Sequence, residues 1–405
     1  MLKPLTESSF RTLFLARTLS SAGDSFLPVA LAFAVLELTG SAVDLGLVLA
    51  AATLPSLLLL PVGGVWGDRL PRGRVMLLAD LVRAIVQAAI AALLVSGRAE
   101  VWHLLVLQVV DGSAEAFFNP ASGAIVPETV SGARLREANA LLGFSTGLSY
   151  AVGPGVAGLL IAATSPGWAI AFDALTFLAS AVILTRLRLP GRANPTSSSF
   201  RRDLVEGWAE FRSRTWVWLM VLHWSFLLLL AEAPLDVLGP VVATRSLGGA
   251  EAWGVIEAGF ALGLLGGRLV AARYSPARPM FASALALLVA VPSYALLAGP
   301  AWLPAIVVAR FIAGASFTFY GTLWMTTLQQ FVPAERLSRV TSYEWFGSMA
   351  FMPLGYVLAG PLSEAIGTSR VLWLSSVWVL ASTVLVAAHT SVRKLRSEPG
   401  SVTDG

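Results

Sequence analysis

Apolar residues run through this chain in long blocks, separated by short clusters of arginine, aspartate, glycine and proline. The blocks lie near 10–37, 44–66, 75–96, 101–126, 138–163, 167–187, 215–240, 251–273, 279–299, 302–328, 340–364 and 368–390. Each is about 20 residues or more, enough for an α-helix to cross a hydrocarbon core of about 30 Å. The period-2 alternation of a membrane barrel is missing. The pattern therefore predicts an all-α membrane protein with twelve transmembrane helices.

The longest polar interval, 188–214, opens with GRANPTSSS and continues with FRRDLVEGWAEFRSR. Phe200, Leu204, Trp208 and Phe211 recur there at helical spacing with charges between them, which predicts an amphipathic helix lying on the inner leaflet. The interval divides the chain into an N-terminal six-helix bundle (1–187), a cytoplasmic linker (188–214), a C-terminal six-helix bundle (215–390) and a tail (391–405). The halves echo each other. QVVDG (Gln108 to Gly112) in the fourth block matches RFIAG (Arg310 to Gly314) in the tenth, and both fifth and eleventh blocks carry a mid-span proline, Pro154 and Pro353. Such duplication predicts two pseudo-symmetric bundles with a substrate site between them near the midplane.

Composition agrees with a lipid-facing surface: 56% of residues are hydrophobic and 13% charged, against roughly a quarter charged in soluble proteins. With no cysteine there is no disulfide, thiolate metal site or cysteine nucleophile, and the three histidines are scattered. No metal site and no cofactor is expected. The run from Phe10 to Leu38 is read as the first span rather than a cleavable signal.

The pI near 9.7 would fit a nucleic-acid partner, but the positions of the basic residues fit a bilayer instead. With both termini inside, 22 of the 28 Lys and Arg fall in inner segments and three, Arg98, Arg245 and Arg370, in outer loops. That bias predicts a multi-pass protein of a bacterial inner membrane with both termini cytoplasmic. Trp102, Trp168, Trp253, Trp302 and Trp373 mark an outer interfacial belt.

Between the second and third spans the chain reads GVWGDRLPRGR, Gly64 to Arg74. This resembles the signature of the major facilitator superfamily, which implies a cytoplasmic latch formed by Gly64, Asp68, Arg69, Arg72 and Arg74. Pro71 stands where the family usually has glycine, and Gly73 replaces a common basic residue. In the fifth span, GLSYAVGPGVAG places Gly153, Pro154 and Gly158 as in the family's antiporter signature, with Ser149 and Ala157 where that signature has glycine. The first two spans, the segment FFNPASGAIVPETV and the stretch LREANAL are similar to the drug-exporter branch that includes macrolide-efflux and enterobactin-export proteins. The resemblance covers the whole chain.

Carboxylates inside a membrane are costly, so each is a functional candidate. Asp24 lies about 20 Å of helical rise beyond Arg11. Asp111 and Glu115 are four apart and share a helix face. These three are the proton-coupling candidates, Asp24 first; the alternative for Asp24 is a structural hydrogen bond or an ion pair with Arg17. Glu232 and Asp236 on the seventh span, with Tyr150 and Trp324, are the substrate-cavity candidates, although Glu232, Asp236 and Glu257 equally suit a polar outer vestibule. Asp80 and Arg83 read as a structural pair tied to the Asp68 latch. Arg310 reads as a partner for Glu344.

The expected function is secondary active export of a hydrophobic or amphipathic small molecule (drug, macrolide-like compound, siderophore or secondary metabolite) by proton antiport and alternating access. The protein is expected to act as a monomer. Uptake or facilitated diffusion by the same fold is the alternative. No Gly-x-x-x-x-Gly-Lys-[Ser/Thr] loop occurs for ATP, and no clustered nucleophile and base suggests a membrane-embedded enzyme.

Overall fold

The computed structural model describes residues 3–187, 208–274, 276–299 and 302–396; within its helices, the side chains of 64, 65, 67–69, 334, 335, 338, 339 and 342 are outside the described set. Twelve helices are long and apolar enough to cross a membrane: α1 Ser8–Thr39, α2 Ala42–Gly63, α3 Arg72–Val95, α4 Val101–Ala124, α5 Gly132–Ala163, α6 Pro166–Leu184, α7 Thr215–Leu247, α8 Ala250–Arg273, α9 Pro279–Ala298, α10 Leu303–Phe331, α11 Tyr343–Ile366 and α12 Thr368–Ala388. Among the described residues there is no strand. Contacts divide the chain into two units. Unit 1 comprises Met1–Thr196 with Ala243–Ala258, and unit 2 comprises Ser197–Val242 with Gly259–Gly405.

Several of the predicted ends move; α5, for instance, starts at Gly132 rather than near 138. The helix that contains α2 continues through Asp68 to Arg69. α7 does not stop at Pro240 but runs on to Leu247 through a π-helical turn at Ala243–Leu247. Most of the predicted surface helix lies outside the described residues. Its last part, 208–213, is helical, and Trp208 and Phe211 pack on Tyr343 at 5.6 and 6.2 Å between ring centroids.

Polarity is arranged as lipid demands. Leu175, Leu269 and Leu385 are largely exposed, while Asp80, Gln87, Gln108 and Asp173 are wholly buried. Prolines set where two helices bend. Pro28 has no N–H to give the Asp24 carbonyl, and α1 opens there, between Ser8–Asp24 and Leu27–Thr39. In α7, Pro234 likewise cannot serve the Leu230 carbonyl. A π-helical turn covers Leu228–Glu232, and Ser375 Oγ from α12 donates to Leu230 O at 2.7 Å.

Glycine makes the same seam inside each unit. In unit 1, a Cβ at Gly112 of α4 would strike the Ala52 carbonyl of α2, and one at Gly63 would strike the Ala116 carbonyl. In unit 2, Gly314 of α10 lies against the Phe260 carbonyl of α8, and Gly263 against the Phe311 carbonyl. Gly112 and Gly314 are the glycines of the repeated QVVDG and RFIAG stretches, so the echo in sequence is a repeated helix contact.

Candidate functional site

Asp24 sits at the break in α1, on the last residue of its first half. Its carboxylate does not meet Arg17, which donates instead to the Ser122 carbonyl at 3.3 Å. The partner is Arg83 of α3, whose Nη2 donates to Asp24 Oδ1 at 2.7 Å. The same guanidinium donates to both oxygens of Asp111 on α4, each at 3.3 Å, and Gln87 Nε2 adds a bond to Asp111 Oδ1 at 3.2 Å. Arg83 lies 4.1 Å over the Phe177 ring of α6. Its side chain is 4% exposed, as is that of Asp111, whereas Asp24 is 23% exposed. Asp24 is therefore the most accessible member of this trio.

The expected Asp80–Arg83 pair is corrected by this arrangement. Arg83 is drawn inward by Asp24 and Asp111. Asp80 accepts from Ser180 Oγ of α6 at 2.5 Å. Arg83 lies eleven residues beyond Arg72, about 16 Å of helical rise, which is too deep for a loop latch. In the segment predicted to form the latch, Arg72 donates to Glu128 at 2.8 Å and to the Ala124 carbonyl at the end of α4, a favourable place for a cation. Arg74 is exposed. Gly64, Asp68 and Arg69 fall on side chains outside the described residues.

Glu115 accepts from Asn119 at 3.2 Å and lies within electrostatic reach of Arg83. Tyr150, 40% exposed, lies near Asp24 and Glu115 rather than with Trp324, which is buried in unit 2 against Trp216. In α5, Gly153 packs on Ser25 at the α1 break, while Gly158 and the Pro154 carbonyl meet Ala250 and Gly254 at the start of α8.

Sequence reasoning passed over Asp173. It is fully buried on α6, and neither carboxyl oxygen has a hydrogen-bond partner. Gly23 makes room for it: a Cβ there would strike the Asp173 carboxyl and the Thr176 hydroxyl, so α6 approaches α1 one residue from Asp24. The signal was present, a lone carboxylate in the apolar run AIAFDALTFL. Around one buried guanidinium, unit 1 thus gathers Asp24, Asp111, Glu115 and Asp173.

The unit 2 candidates are engaged differently. Glu232, in the π-helical turn of α7, accepts a short hydrogen bond from Tyr294 of α9. Arg310 of α10 faces it at 3.9 Å and lies 4.2 Å over the Phe260 ring. The expected Arg310–Glu344 pair does not form; Glu344 accepts from Ser348 at 3.3 Å. Asp236 accepts from Tyr356 of α11 at 2.9 Å. The π-turn gives Glu232 and Asp236 separate partners on separate helices.

The family model described as Major Facilitator Superfamily matches residues 13–350. "Multidrug efflux pump Tap" of Mycolicibacterium fortuitum is 32% identical over 370 residues, covering 88% of this chain and 89% of that protein. "Macrolide efflux protein A" of Streptococcus pyogenes is 25% identical, covering 95% of this chain and 97% of that one. Among solved structures, a bacterial homolog of the human lysosomal transporter Spinster superposes with a TM-score of 0.73 at 16% identity, covering 97% and 98% of the two chains. The nucleoside transporter NupG gives 0.71 at 15% identity, covering 96% and 100%. These two likenesses speak for the fold.

Proposed function

Because the chain belongs to the major facilitator superfamily, a family of membrane transporters, we propose that it is a secondary active exporter driven by proton antiport through alternating access. Its cargo is a hydrophobic or amphipathic small molecule of the drug or macrolide kind, in keeping with the names of its relatives. It works as a monomer in a bacterial inner membrane, with both termini cytoplasmic and two six-helix bundles, 1–187 and 215–390, joined by the linker.

One observation carries the coupling. Arg83 holds two carboxylates at once, one sealed and one partly open. A single guanidinium balances one of them, so the other needs a proton or a cation to be comfortable in low dielectric. Asp24 is the exchangeable member: protonated, it releases Arg83 to Asp111; ionised, it takes Arg83 back. Glu115, a helical turn beyond Asp111, and Tyr150 line the approach. A substrate that competes for Asp24 or shifts Arg83 is thereby linked to the proton. The partial antiporter motif supports the export direction, since Gly153 packs directly on the α1 break beside Asp24.

The test uses inside-out vesicles energised to an acid interior and a pH-sensitive dye. Addition of a transported macrolide or lipophilic dye is expected to release protons with the wild type and not with Asp24→Asn. Transport of labelled compounds without proton movement in the wild type would replace antiport with facilitated diffusion. An Asn variant matching the wild type would move the proton site elsewhere.

A further inference from the structure

Unit 2 contains a cavity of about 240 Å³ between α7, α10 and α11. Five aromatic side chains wall it: Trp224, Phe317, Tyr320, Trp324 and Trp345. The wall is ordered. Trp224 stacks on Tyr320 with centroids 4.8 Å apart and planes 13° apart, and meets Phe317 edge-on at 5.2 Å. Glu344 is the one charged residue in the lining, which includes no Lys or Arg. Ser348 bonds it at a long 3.3 Å and the Trp324 indole lies beside it, but among the described residues no basic side chain reaches it. Glu232 is otherwise placed, already faced by Arg310.

From this arrangement we infer that the cavity is a recognition site for organic ammonium ions, with Glu344 as counter-ion and the aromatic wall as the cation-binding surface. A ring face carries negative electrostatic potential, and a cation over it is attracted most strongly where water is excluded. A tertiary or quaternary ammonium is weakly hydrated and presents alkyl groups to the rings, so it loses little on leaving water. An inorganic cation would need several oxygen ligands, and the cavity offers one carboxylate. The size limits the occupant as well. Pockets that enclose a whole drug run to about 300–1,000 Å³, so this one takes an ammonium group with one neighbouring ring or sugar and leaves a larger cargo to extend outward. The inference deepens the export reading and rests on it for the fate of the ligand, but binding can be measured without transport.

Purified full-length protein in lipid nanodiscs would be titrated with benzyltrimethylammonium by calorimetry. Saturable binding to one site is expected. Glu344→Gln and Trp224→Leu should each weaken it about tenfold or more. Glu344→Asp, which keeps the charge, should retain most of the affinity, and thermal unfolding of each variant separates lost binding from lost fold. The uncharged isostere with carbon in place of nitrogen should bind no better to the wild type than to Glu344→Gln. Absence of saturable binding to the wild type, or equal binding to folded Glu344→Gln, would overturn the assignment. If ammonium binding holds while no compound moves protons in vesicles, the site stands and proton-driven export fails. If uncharged compounds are exported by a protein that binds no ammonium, export stands and the site fails.

Discussion

Arg83 in unit 1 and Arg310 in unit 2 are buried cations in nearly the same setting, each guanidinium about one ring thickness from a phenylalanine, Phe177 or Phe260. Their partners differ. Arg310 faces Glu232, which also receives the Tyr294 hydroxyl, and the nearby Asp236 receives Tyr356. Neutral phenols from other helices share the work of satisfying these carboxylates. Arg83 instead answers directly to Asp24 and Asp111, feels Glu115 and Asp173, and Asp173 has no donor at all. In unit 2 the carboxylates around the buried cation, Glu232 and Asp236, are tied down by hydroxyls, whereas in unit 1 more carboxylates surround the cation than it can balance. Changeable protonation belongs where the balance is incomplete.

The sharpest way to break this comparison is to remove the cations. Arg83→Met leaves several carboxylates without a counter-charge and is expected to cost about 3–5 kcal/mol, with loss of proton-coupled efflux. Arg310→Met combined with Glu232→Gln removes both members of a pair and should cost less, about 1–2 kcal/mol or none. Thermal unfolding of the two variants in the same detergent decides between them; equal losses would erase the distinction between the units.

A smaller effect of opposite sign separates the carboxylates themselves. Replacing Asp173, buried and unpartnered, by valine should raise stability by about 1–2 kcal/mol while impairing coupling. Asp236→Val should lower stability by a similar amount, because Tyr356 would lose its acceptor. The unfolding midpoints check the signs, and a stabilised Asp236→Val would contradict the satisfied state of unit 2.

The smallest effect lies outside the membrane. Glu210 receives Arg214 at 2.7 Å and Arg336 at 2.6 Å, and these bonds hold its carboxyl below the usual glutamate range. A group whose folded pKa is depressed stabilises above its unfolded value, about 4.3, and loses that contribution as pH falls through the folded value. Acidification below pH 4 should therefore loosen the 208–213 turn, read as a change in Trp208 fluorescence beside Tyr343, and Glu210→Gln should abolish the pH step at a cost under about 1 kcal/mol. In unit 1 the comparable surface clamp runs from Glu7 to Ser131 and Arg134.

The twelve spans were legible because a bilayer imposes one requirement, length and apolarity, that each block meets by itself. The repeat was legible as well, down to the glycine that lets α4 and α10 touch their neighbours. Partnerships were not. Asp80 and Arg83 are neighbours along α3, but three other helices supply what each one binds, and nothing in a single sequence says which helix faces which. Arg310 and Glu344 looked adjacent because they lie on consecutive helices, α10 and α11. Asp173 was a different failure: the run AIAFDALTFL announces a membrane carboxylate, but no motif or second charge in that run marks it out.

The π-helical turn at Leu228–Glu232 has a consequence for how this chain tolerates insertion and deletion. A π-turn accommodates one more residue than the α-turn it interrupts, and each residue of an α-helix advances the face by about 100°. Deleting Leu229 would let α7 close into a regular helix with its later side chains still in register, whereas deleting a residue from a regular turn of the span would swing every later side chain by that angle. Only in the second case would Asp236 leave Tyr356 and Pro240 point to a new neighbour, with no loop to absorb the change. In a protein whose gaps are expected at its surface, this span carries within the membrane one place where a residue can be lost and the register kept.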